Sequence, residues 1–145
     1  MNSVMLLDFL REHRLAVQAS VSTESHPQAA VIGIAVTERF EIIFDTLETT
    51  RKAQNLRRNS SVALVIGGLT GGDERTVQLE GVADEPTGAE LERLKAAYFS
   101  VYPQSLGHVD WKGLIYVRVR PTWIRYTDYN VRPTEIFELR GEELA

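Results

Sequence analysis

The sequence predicts a mainly β fold of the α+β class, with six or seven antiparallel strands closed into a barrel and two or three helices packed on it. Three observations carry that prediction. Short β-branched runs are separated by turn segments such as Ser25-His26-Pro27-Gln28 and Thr37-Glu38-Arg39, and such runs return near the C-terminus. Helical spacing is confined to short stretches. In the run 40–45, Phe40, Ile42 and Phe44 alternate with Arg39, Glu41 and Asp45, but Ile43 breaks the polar side, as expected where a sheet curls and both faces are partly covered.

Residues 3–13 place Leu6, Phe9 and Leu10 at helical spacing behind Ser3 as the candidate cap, which gives a short amphipathic lid helix whose apolar stripe needs a surface to cover. Residues 15–23, 29–37 and 40–45 read as three strands in a meander. Residues 50–58 favour a helix, ended by Asn59-Ser60, that bridges to a strand at 62–66. The stretch 67–74 is the richest in turn residues and predicts a mobile hairpin loop before a strand at 75–83. Asp84-Glu85-Pro86-Thr87 then opens a helix with Leu91, Leu94, Ala97 and Tyr98 on one face. After an irregular stretch through Pro103 and His108, residues 114–120 and 123–129 are the closing strands, parted by Pro121-Thr122. No repeat, low-complexity tract or linker divides the chain, so residues 1–145 are expected to form one domain with a frayed tail at 141–145.

Composition removes several function classes. Sixteen basic against twenty acidic residues give a net charge of -4, which does not supply the basic face that nucleic-acid binding needs. The absence of cysteine excludes disulfides, thiolate metal sites and cysteine nucleophiles. His13, His26 and His108 lie far apart without metal-ligand spacing, so no metal site is expected. The opening residues lack the basic region and cleavage site of a signal peptide, and no run is long and apolar enough to span a membrane, so a cytoplasmic protein is expected.

The segment Phe44-Asp45-Thr46-Leu47-Glu48-Thr49-Thr50-Arg51-Lys52-Ala53-Gln54-Asn55-Leu56 takes a strand through a tight connection into a helix. With Thr50 as N-cap, the first amides of that helix are unpaired, and Arg51 and Lys52 add two cations beside the positive end of its dipole. Thr46 can offer a hydroxyl to the same anion, so a phosphate would meet hydroxyls, amides and charge together. On this segment alone, a capped surface helix with solvated cations remains the simpler reading.

The spacing of Thr46, Thr50, Arg51, Lys52, Ala53 and Leu56 resembles the flavin-phosphate motif of the pyridoxamine 5'-phosphate oxidase-like split β-barrels. Asn59-Ser60-Ser61-Val62 and Gln78-Leu79-Glu80-Gly81-Val82-Ala83 resemble later strands of the same family, in the same order. The resemblance implies a homodimer with FMN at its interface, moving hydride or electrons between the flavin and a small-molecule substrate or reductant. Members that bind the deazaflavin F420 or heme keep a carrier or binding protein open as the alternative. It also implies that Ala30, Val31, Ile32 and Gly33 run along the flavin ring and that Gln78 reaches it from a neighbouring strand. Thr76 shares that strand face, and a register error would exchange the two.

The departures bear on the substrate. True pyridoxamine phosphate oxidases carry an Arg and a Lys on the second strand and a C-terminal Arg-x-His, whereas here Ala30 and Ala35 stand on that strand and the Arg-x-His is missing. Without those cations a doubly charged pyridoxamine phosphate loses its charge-assisted contacts, so that substrate is not expected. Flavin chemistry asks the protein for orientation and electrostatics rather than an acid or nucleophile, which leaves the catalytic residues unassigned. In the run 123–130, barrel packing accounts for Trp123 and Tyr126. The same run resembles a subgroup whose last strands lie near the flavin and the dimer interface, which makes Trp123, Arg125 and Arg132 candidates for cofactor or partner contact.

Overall fold

The computed structural model describes residues 1–144. The elements run α1 (Ser3–Glu12), β1 (Leu15–Val21), β2 (Pro27–Gly33), β3 (Ala35–Val36), β4 (Ile42–Leu47), α2 (Arg51–Arg58), β5 (Ser61–Gly67), β6 (Arg75–Asp84), α3 (Gly88–Val101), β7 (Leu114–Asp128) and β8 (Glu135–Arg140), with 3-10 turns at Pro103–His108 and Gly141–Leu144. The strands pair antiparallel in the order β2-β1-β5-β6-β7-β4-β3, with β8 also on β7. β2 and β3 stand at opposite ends of that order, yet only Ile34 separates them in the chain. The sheet therefore curls until its ends meet, and the seam is closed by the chain itself instead of a ladder. This is the antiparallel, mainly β barrel that the sequence predicts.

The expected meander ends at that seam. Residues 29–37 are not one strand, because Ile34 turns into the core, 1% exposed, and its amide donates to the Arg14 carbonyl at 2.9 Å. Phe40 and Glu41 precede β4: Phe40 sits at φ +62, and the Thr37 amide donates to the Glu41 carbonyl at 3.0 Å, closing a turn. Residues 42–44 are all buried, with Ile43 beneath α3 against Ala35, Leu94 and Tyr98, while Ile42 and Phe44 belong to the barrel core. The apolar residue that broke the alternation marks where the sheet is covered on both sides.

The two closing strands are a single one. β7 continues through Pro121, which lacks an amide for the ladder, because a bulge pairs Glu80 with Trp123 and Gly81 with Pro121, leaving Thr122 without a pairing partner. A Cβ at Gly81 would lie 2.6 Å from the Arg120 carbonyl oxygen, so only glycine fits this crossing. β8 is not predicted from the sequence; Glu135, Glu138 and Arg140 dilute its pattern, although Leu139 is only 4% exposed. Helix α1 covers the barrel end with Leu6, Phe9 and Leu10, as expected, and burial of each is worth about 1.5–3 kcal/mol. Its cap is Asn2, whose side chain accepts from the Met5 amide at 2.9 Å, one residue earlier than expected. Of the predicted frayed tail, Gly141–Leu144 form the last 3-10 turn, with Leu144 packed on the core, and Ala145 lies outside the described residues.

Candidate functional site: a cationic cleft at the start of α2

Thr50 caps α2. Its Oγ1 accepts from the Ala53 amide at 3.4 Å and donates to the Leu47 carbonyl at 2.9 Å. The Thr46 and Thr50 hydroxyls lie 3.0 Å apart, and because the Thr50 proton is used on Leu47, Thr46 donates in this pair. Thr46 meets a bound anion only by turning that proton away. The amides of Arg51 and Lys52 fall in the first helical turn, where no intrahelical acceptor exists. Among the described residues, no carboxylate forms an ion pair with either side chain.

Thr50, Arg51 and Lys52 open onto a cleft of about 400 Å³ lined also by Gln18, Ser20, Gln28, Ala29, Ala30 and Thr49, while Thr46, buried behind the Thr50 hydroxyl, is not part of its lining. Its floor is braced by buried Asn55, whose Nδ2 donates to Ser20 Oγ at 3.1 Å and to Gln28 Oε1 at 2.9 Å, tying α2 to β1 and β2. Gln18 is 1% exposed, and its Oε1 has no hydrogen-bond partner. A buried acceptor left unpaired costs about 1–3 kcal/mol, so a donor is wanted there.

Of the residues expected along a flavin ring, Ala30 lines the cleft and the other three do not. Val31 points outward, 62% exposed, Ile32 is in the core, and a Cβ on Gly33 would touch the Tyr102 hydroxyl at 3.1 Å. Gln78 lies on the outer face of β6, paired in register with Val65 and Arg125. Arg125 is held by Glu138, its Nε donating at 2.6 Å, and its guanidinium stands 5.6 Å from the centre of the Trp123 ring. Arg132 lines a separate, wider groove of about 740 Å³ between the 68–74 loop and residues 129–134, away from the α2 cations. That groove is larger than the cleft, but its Asp73 is already committed to Arg75, at 2.8 Å.

The family model for pyridoxamine 5'-phosphate oxidase matches residues 5–128. The chain belongs to that family. Among solved structures of this fold, a heme binding protein from Mycobacterium smegmatis superposes with a TM-score of 0.84 at 17% identity, covering 99% of this chain and 60% of that one, so the chain spans under two-thirds of that protein. A conserved hypothetical protein from Mycobacterium tuberculosis gives 0.73 at 26% identity over 88% of this chain and 85% of that one. A pyridoxamine 5'-phosphate oxidase-related, FMN binding protein from Nostoc punctiforme gives 0.71 at 9% identity over 98% and 91%. No curated protein matches the chain.

Within this pyridoxamine 5'-phosphate oxidase-family chain, sequence reasoning missed Gln18 and Asn55. The signal for Gln18 was present: Ala16, Gln18 and Ser20 form the inward face of β1, and a glutamine there interrupts an apolar barrel lining. None of the histidines lines the cleft: His13 Nδ1 lies 2.7 Å from the Phe9 carbonyl, His26 is at the surface, and His108 stacks on Trp111. No cluster of three metal-ligating side chains occurs among the described residues, and no described helix is long and apolar enough to cross a membrane.

Proposed function

We propose that the cleft binds FMN and that the protein is an FMN-dependent oxidoreductase, acting in the cytoplasm on a small-molecule substrate or reductant. The observation that carries this reading is the pair of adjacent cations, Arg51 and Lys52, left without carboxylates at a capped helix start that opens on a cleft. Thr50, Arg51 and Lys52 would hold the phosphate through the helix amides and charge, with Thr46 joining as its hydroxyl turns. Flavin bound there supplies a hydride acceptor. The chain's own part is to position and neutralise, and Ala30 keeps the cleft wall low where a larger side chain would fill it.

A homodimer fits the same reading. The outer face of the sheet exposes Leu15, Val31, Val65 and Val82, and Gln78 and Arg125 stand on that face beside them. Pairing two copies through it would bury this apolar strip and carry Gln78, Trp123 and Arg125 towards the other copy. The fold is shared with both an FMN binding and a heme binding protein. The absence of any histidine from the cleft favours flavin over heme, whose iron is most often held by such a ligand. The absorbance spectrum of the purified protein decides among flavin, deazaflavin and heme, and anaerobic addition of NADH or NADPH then reads whether bound flavin is reduced. Colourless protein that takes up no added FMN overturns the proposal; flavin that stays oxidised with every reductant tried argues for a carrier.

A further inference from the structure

The geometry points to Gln18 as the residue that selects the ligand's middle section: its carboxamide accepts a hydrogen bond from a hydroxyl or N–H that the ligand carries next to its phosphate. This deepens the FMN reading and rests on it. Gln18 faces Ala30 directly across the β1–β2 ladder, and the Ala30 methyl is too small to cover or pair with it. On its other side the register partner is Leu64, which has no polar group to offer. The nearby polar side chains Ser20 and Gln28 are turned to Asn55, from which both accept, and neither donates to Gln18 Oε1. A buried carboxamide that lines the cleft, with its oxygen unpartnered, therefore stands beside the unpaired cations of α2. The two features together specify a ligand with an anionic end and a hydrogen-bond donor close behind it. The polyhydroxyl chain of a flavin phosphate has that pattern, whereas heme presents carboxylates followed by a hydrocarbon periphery and would leave Gln18 unsatisfied.

Gln18→Met keeps the length of the side chain and removes the acceptor. The expected result is that FMN affinity, measured by fluorescence quenching, falls about 10-fold to 100-fold while inorganic phosphate, measured as a competitor, binds as before. The thermal midpoint of the ligand-free protein is expected to stay level or rise, because the substitution removes an unpaired buried polar group; a purely structural role would lower it. In the unsubstituted protein, the Gln18 side-chain amide signals should shift on adding FMN and not on adding phosphate alone, which tests the contact should the variant fail to fold. An FMN affinity changed by less than twofold, or amide signals that ignore FMN, overturns the role of Gln18 while leaving the phosphate site standing. Failure of the unsubstituted protein to bind FMN overturns both.

Discussion

The cations beside α3 and those at the start of α2 are treated oppositely, even though Arg57 at the far end of α2 is itself paired with Glu85 at 2.8 Å. On the α3 side, Arg93 reaches both oxygens of Glu41 at 2.9 Å, and Arg118 is shared among Asp84 at 2.6 Å, Glu90 at 2.8 Å and Glu41 at 3.3 Å. Burial pushes the Glu41 carboxyl up, but hydrogen bonds and charge from Arg93, Thr37 and Arg118 outweigh it and hold the group at about 2. At the start of α2, Arg51 and Lys52 have no such answer. Other surface cations, Arg39 and Lys112 among them, also lack carboxylates, but they do not share a helix start and a cleft. A closed network holds a helix in place; an open one leaves its charge available to something that arrives later.

Breaking the closed network should cost most. Glu41→Leu takes the buried partner from two guanidiniums, Arg93 keeping Glu90 and Arg118 keeping Asp84 and Glu90, and we expect a loss of about 3 kcal/mol in chemical denaturation, with FMN affinity unchanged in the folded fraction. The same carboxylate sets the acid response. Its folded pKa lies below its ordinary value of 4.5, so its stabilisation is fully present above pH 4.5 and drains away as pH falls towards 2. The stability gap between the native protein and Glu41→Gln should close across that window, and a gap that holds constant from pH 5 to about 2 would contradict the assignment. Arg51→Ala and Lys52→Ala invert the pattern: each should weaken FMN by about 1.5–3 kcal/mol by calorimetry, while the stability of the free protein moves by no more than about 0.5 kcal/mol. The smallest effect separates the two helix starts themselves. Thr50 makes a side-chain cap and Thr87 at α3 makes none, so Thr50→Ala should cost about 1 kcal/mol and Thr87→Ala much less.

The part of the site that the sequence reveals is the part made locally. Thr46, Thr50, Arg51 and Lys52 lie within one strand-turn-helix passage, so cap, dipole and charge can be read from spacing alone. Gln18 and Asn55 draw their roles from partners distant in sequence, Ala30 and Leu64 for the first, Ser20 and Gln28 for the second; the alternation of β1 marks Gln18 as an inward polar residue but not what it faces, and no local pattern marks Asn55. The same divide runs through the fold. Apart from β8, the existence of the strands was legible from their apolar patterning, whereas the continuation of β7 past Pro121 depends on Gly81 in a different strand, and the β2–β3 seam depends on where Ile34 is buried. The surface apolar residues Val31 and Val65 look like ordinary strand positions in sequence; only the register shows that they flank Val17 on one face.

The curl of the sheet also constrains how the chain can mature. β4, which carries Thr46 against the Thr50 hydroxyl, gets its ladder from β7, with Ile42 opposite Val119 and Leu47 opposite Leu114. On a ribosome the strand emerges long before its partner does. Until residues 114–119 have been made, β4 has only the two-residue β3 beside it, and one of its edges offers unpaired amides and carbonyls to any passing strand. The cationic cleft is thus assembled from early segments but set in position by a late one, so nascent chains stalled before β7 should be the aggregation-prone species and should be unable to take up the proposed FMN.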